Sequence, residues 1–87
     1  MNFDAAVITE KGVTFAVIIV RPEVFKHDFT INEARQAFAK YFPPGMPIVL
    51  MAQEHATIPT YQGRADLVKF LKTVDYMILP WKQYTVK

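Results

Sequence analysis

The run Val13-Thr14-Phe15-Ala16-Val17-Ile18-Ile19-Val20 constrains the chain more than any other stretch. It carries no charge, glycine or proline, and most of its positions are β-branched or aromatic. Lys11-Gly12 before it is a turn signal, and Arg21-Pro22 ends it. A run of this kind reads as a strand buried on both faces, so the other segments must pair with it or pack on it.

A shorter apolar segment, Ala5-Ala6-Val7-Ile8-Thr9, precedes it. Glu10-Lys11-Gly12 suits a three-residue loop, a type I turn closed by a glycine bulge, and predicts a hairpin between the two segments. After the central run, Pro22 suits the first position of a helical turn. Pro22 to Lys26 therefore reads as one short turn, pinned to the body by Val24 and Phe25.

Thr30 followed by Glu33 has the spacing of a capping box, with Phe29 placed to staple against Ala34. Behind it Ile31, Ala34, Phe38, Tyr41 and Phe42 recur at helical spacing, and Pro43-Pro44-Gly45 closes the segment. The pattern predicts a helix from Ile31 to about Phe42. Ile48-Val49-Leu50-Met51-Ala52 is a second continuous apolar run, and strand–helix–strand in that order predicts a parallel crossover. A short strand is expected near Thr57 to Tyr61, where Pro59 argues for an edge position. From Arg64 onward Leu67, Val68, Leu71 and Val74 form an apolar stripe, with Asp66 in the first turn and Lys72 in the last. Tyr76 to Val86 reads as a strand interrupted at Pro80, again at an edge.

The expected architecture is one α/β domain over residues 1–87, an α+β two-layer sandwich. It has a mixed four- to five-stranded sheet, an N-terminal hairpin and two helices on one face, in the order β-β-α-β-(β)-α-β. The central run, the Ile48 strand and the Tyr76 strand are expected to be parallel, with the N-terminal strand antiparallel at an edge. The alternative is a ferredoxin-like βαββαβ unit with an extra N-terminal strand, which would put the proline-bearing segment in mid-sheet. With both helices on one face, the alternating side chains of the central strands leave the second face apolar. An uncovered apolar face predicts a cover, either the chain's own edge segments or another chain. A homodimer or a protein partner is thus expected, with Ile18, Val20 and Met51 on the contact surface.

Composition narrows the function classes. No cysteine is present, which removes disulfides, thiol catalysis and thiolate metal sites, and no serine is present to act as a nucleophile. Two histidines without cysteines, at no metal-ligand spacing, predict no metal site, and His27-Asp28 reads as an exposed pair beside a helix start. The glycines are scattered and form no phosphate loop, so no cofactor is expected. Ten Lys and Arg against eight Asp and Glu leave a charge of +2, which permits nucleic acid without indicating it. Met1-Asn2-Phe3-Asp4 lacks the basic-then-apolar order of a signal peptide, and no apolar run reaches the ~18–20 residues of a membrane span. The expectation is a soluble cytoplasmic protein without a membrane role.

Two groups of residues carry the remaining possibilities. In a parallel arrangement ligands bind beyond the carboxyl ends of the strands, which would collect Arg21, Glu54, His55, Tyr61 and Arg64 as a ligand or anion edge. Trp81, Lys82 and Tyr84 mix aromatic and basic character on an edge strand, suiting a protein interface or nucleic acid, unless Trp81 simply packs over the end of the core. The leading expectation is a small binding protein that self-associates or serves a larger partner. A nucleic-acid-binding domain and a small-ligand protein or enzyme are the alternatives.

Overall fold

The computed structural model describes residues 2–53 and 58–86. β1 (Asn2–Glu10) and β2 (Val13–Ile19) form the N-terminal hairpin, and a 3-10 turn over Pro22–Lys26 leads into α1 (Asp28–Ala39). β3 (Ile48–Ala52), β4 (Thr60–Gln62) and α2 (Ala65–Leu71) follow, then a second 3-10 turn over Tyr76–Ile78 and β5 (Trp81–Thr85). The five strands make one mixed sheet of order β4-β3-β2-β1-β5. β2 and β3 are parallel, and every other neighbouring pair is antiparallel.

The fold class is the expected α/β type, with its mixed sheet, N-terminal hairpin and element order. β2, β3 and β5 run in one direction, as expected. The C-terminal strand is only Trp81–Thr85, because Tyr76–Ile78, expected as its first part, is a 3-10 turn capped by Asp75. β1 lies between β2 and β5 instead of at an edge. Its pairing with β5, from Asn2↔Thr85 to Ala6↔Trp81, is what extends it to Asn2. The ferredoxin-like alternative does not hold, because β3 lies directly beside β2 and β4 sits at the edge. Pro59, just before β4, explains the edge position, since it has no N–H for a central ladder.

The helices are distributed differently from expectation. Phe15, Val17, Val49, Met51 and Tyr61 share a core with Leu67 and Leu71 of α2. Ala16, Ile18, Ile48 and Leu50 share a separate core with Ile31 of α1. Neighbouring residues of a strand point to opposite faces, so α1 covers one face and α2 the other. The sheet is therefore a middle layer, and its second apolar face is covered by the chain itself.

Three local readings are also corrected. Glu10↔Val13 is the last hairpin pair, leaving a two-residue loop in which Lys11 has φ 51° and Gly12 φ 81°. Two positive φ values are the requirement of a type I′ turn, whose twist matches the strands better than the expected bulge. α1 begins at Asp28, with His27 at the N-cap position and no side-chain cap. Thr30 lies inside the first turn, where its hydroxyl donates toward Val24 O at 2.6 Å and His27 O at 2.8 Å. Phe29 is exposed and does not staple the helix.

Candidate interaction surface

The connection from α2 to β5 is built so that some of its apolar side chains turn inward and others outward. Lys72 N–H bonds Val68 O, and Thr73 and Val74 continue with tight bonds to Phe70 O and Leu71 O. Asp75 then caps the second 3-10 turn, its carboxylate accepting from Met77 N–H at 3.0 Å. Trp81 locks the turn from the other side, its indole N–H donating to Tyr76 O at 2.8 Å. Within this frame Tyr76 and Leu79 pack into the α2-side core. Met77 and Ile78 are turned outward and are 69% and 73% exposed.

Ile58, just before β4, is 86% exposed. Ile58 and Met77 border one groove of about 920 Å³ whose floor includes Pro59, Val74 and Tyr76, with Lys72 and Asp75 contributing one charge of each sign. Scattered exposed apolar residues are ordinary, but two large ones, Ile58 and Met77, on one concavity are the pattern of a contact surface. Methionine suits such a place because its unbranched thioether adapts to the shape it meets. Most of the described lining is apolar side chain, so burial of apolar groups is the interaction this groove offers most readily.

The expected ligand edge does not converge. Arg21 follows β2 and lines a depression of about 460 Å³ with Asn2, Asp4 and Phe38. Tyr61 points into the α2-side core and is 7% exposed, and its phenol is pushed above the ordinary tyrosine range by burial and by the phenol of Tyr76. Arg64 belongs to the opposite end of the sheet. The pairing of Gln62 with Leu50 sets Gly63 against Val49 and carries Arg64 to the level of Ile48, the start of β3. Arg21, two residues beyond the Ile19↔Met51 pair, is thus roughly 16 Å away along the strands, about five residues at 3.3 Å each. Arg64 is also engaged already: its Nε and Nη2 donate to the two carboxylate oxygens of Asp66 at 2.8 and 2.9 Å. That pairing raises the Arg64 guanidinium and holds the Asp66 carboxyl below its usual value. Glu54 and His55 lie outside the described residues. Among the described residues no group of three or more His, Asp or Glu side chains is placed to hold a metal ion.

The expected contact surface is also redistributed. Ile18 and Met51 are 0% and 1% exposed and belong to opposite cores, so neither is available to a partner. Val20 is half-buried against the α1-side core. Trp81 packs on the α2 side, while Tyr84 packs on the α1 side, stacked on Phe3 at 5.1 Å with the rings 9° apart. Lys82 is exposed, with its ammonium 5.7 Å from the centre of the Tyr84 ring. The rings offered for base stacking are therefore occupied by partners within the chain.

Sequence reasoning missed Ile58, Met77 and Ile78 as surface residues. The one available signal was an apolar Tyr76-Met77-Ile78-Leu79 run ending at Pro80, which reads equally as a buried strand. No helix among the described residues is long and apolar enough to cross a membrane. No protein-family model, curated protein or solved structure matches the chain.

Proposed function

We propose that the chain works by binding a protein partner, as an accessory to a larger assembly, through the groove bordered by Ile58 and Met77. The observation that carries this reading is the exposure of Ile58, before β4, and Met77, in the α2–β5 connection, on one groove, with Ile78 exposed next to Met77 in the chain. Fully burying a side chain of this size contributes about 1.5–3 kcal/mol, so Ile58 and Met77 together can anchor a modest interface. Catalysis has less support, because Arg21 and Arg64 lie at opposite ends of the sheet. Nucleic-acid binding has less support as well, because Trp81 and Tyr84 are held by Tyr76 O and by the Phe3 ring.

The test is a comparison of the native chain with an Ile58→Asp/Met77→Asp variant. Both side chains are exposed, so the variant keeps its melting midpoint within a few degrees. Proteins retained on the immobilised native chain from extract are expected to be lost on the variant. An identical retained set on both chains, or a variant that unfolds, overturns the reading.

A further inference from the structure

The pairing of β1 with β2 stops short of the ends of both strands. Its last pair is Ala5↔Ile18, although β1 begins at Asn2 and β2 runs on to Ile19. Past that pair β1 stays with β5 as far as Asn2↔Thr85. β2 stays with β3 to Ile19↔Met51, and Val20 N–H then donates to Met51 O at 2.8 Å. Each strand is held by its outer neighbour, and a cleft of about 460 Å³ opens at this end of the sheet. Val24 of the first 3-10 turn and Phe38 of α1 also line it. Ile19, on the β2 wall, is 37% exposed.

Each wall brings one charge to the cleft, Asp4 from β1 and Arg21 from the end of β2. Both are exposed, and no ion pair joins them. Neither side chain has a hydrogen-bond partner among the described residues. The contrast is with Arg64 and Asp66, which close on each other at 2.8 and 2.9 Å. Continuing the β1–β2 register sets Asp4 opposite Ile19, with Arg21 two residues further on, about 7 Å along the strand. The two charges therefore stand apart over an apolar wall.

We infer that this cleft binds a free α-amino acid with an apolar side chain. The Arg21 guanidinium donates to the ligand's carboxylate, for which its planar fork is suited. The Asp4 carboxylate accepts from the α-ammonium, and the ligand's side chain lies against Ile19, Val24 and Phe38. The volume falls within the range of small-molecule sites, which combine an apolar lining with a few placed polar groups. The charges select the occupant. A simple anion would meet Asp4 and a simple cation would meet Arg21, an unfavourable contact in either case, whereas a zwitterion satisfies both. A peptide end carries only one of the two charges. The inference uses no residue of the Ile58–Met77 groove and stands independently of it.

The test is a titration of the native chain with L-leucine, followed by backbone amide signals in proton–nitrogen correlation spectra. It is run at about pH 6.5, below the α-amino range, so that amines stay charged. Saturable shifts centred on Asp4, Ile19, Arg21 and Val24 are expected. N-acetyl-L-leucine lacks the ammonium and L-leucinamide lacks the carboxylate. Each is expected to bind about tenfold more weakly, the worth of one hydrogen-bonded charge. Arg21→Gln should weaken L-leucine by a similar factor and leave L-leucinamide no weaker. Asp4→Asn should weaken L-leucine and leave N-acetyl-L-leucine no weaker. No saturable shift, shifts centred on other residues, or equal binding of the three compounds overturns the inference. The comparison of compounds uses the native chain alone, so it decides the outcome even where a substitution disturbs the fold.

Discussion

Tyr61 shows how one side chain ties local structure to the pH range of the fold. It sits on β4 opposite Met51 and turns its ring into the α2-side core. Burial first, and the Tyr76 phenol second, disfavour its phenolate and raise its pKa. A group held protonated in this way leaves the fold at full strength below the unfolded tyrosine value of about 10. Stability then falls as pH rises from there through the raised folded value, because the unfolded chain releases the proton first. Tyr61→Phe is expected to flatten that alkaline decline while leaving the midpoint at pH 7 nearly unchanged, as thermal melts between pH 7 and 11 would show. An unaltered alkaline slope would assign the decline to other groups. Gly63, two residues on, has a different constraint. A Cβ there would meet Val49 Cγ2 at 3.0 Å and Ile48 O at 3.2 Å, so the residue is glycine because α2 must start against the β3 backbone.

At the scale of elements, α1 is held less by its own cap than by its neighbour. Thr30 reaches back across six residues to Val24 O, so the 3-10 turn and the helix act as one unit over the α1-side core. Loss of this tie in Thr30→Ala is expected to destabilise by about 1 kcal/mol, a drop of roughly 4–8 °C for a domain of this size. A melt within 1 °C of the native chain would show that the turn is held by Val24 and Phe25 packing alone. The helix was legible from its 3.6-residue apolar period, and so was its end near the prolines. Its start was not, because Thr30-x-x-Glu33 has the spacing of a capping box whether or not the backbone before it is already helical. The hairpin was legible too, while its turn type depended on Lys11 taking a positive φ, which few lysines do.

For the whole molecule the decisive fact is that α1 and α2 lie on opposite faces of the sheet. α1 joins the adjacent strands β2 and β3 over one face, whereas α2 lies over the other on the way from β4 at one edge to β5 at the opposite edge. Each apolar face of β2 and β3 is thereby buried within one chain. Ile18→Asp would place an unpaired charge in a closed core, a change that destabilises by more than about 4 kcal/mol against a total of roughly 5–15 kcal/mol. The expected result is loss of the folded circular dichroism spectrum at 37 °C. A folded monomer carrying this substitution would instead restore Ile18 as a contact residue.

The sequence by itself determined most of the elements and their order, though not the 3-10 turn at Tyr76–Ile78, because apolar periodicity, proline and glycine act over a few neighbouring residues. It determined that β2 and β3 are buried on both faces, since both are uninterrupted apolar runs. Only the tertiary structure decided which face each helix covers, because an amphipathic stripe is the same on either side of a sheet. Tertiary structure also decided that Phe3 is a core residue, through the pairing of β1 with β5. The outward turn of Met77 and Ile78 was decided by the Asp75 cap and the Trp81 N–H acting together. Arg21 and Arg64 were sent to opposite ends because β4 runs antiparallel to β3. Strand pairing between residues distant in the chain set the helix faces, the place of Phe3 and the separation of the two arginines. The turn at Met77 and Ile78 was instead set by side-chain hydrogen bonds two and five residues apart that apolar spacing does not reveal.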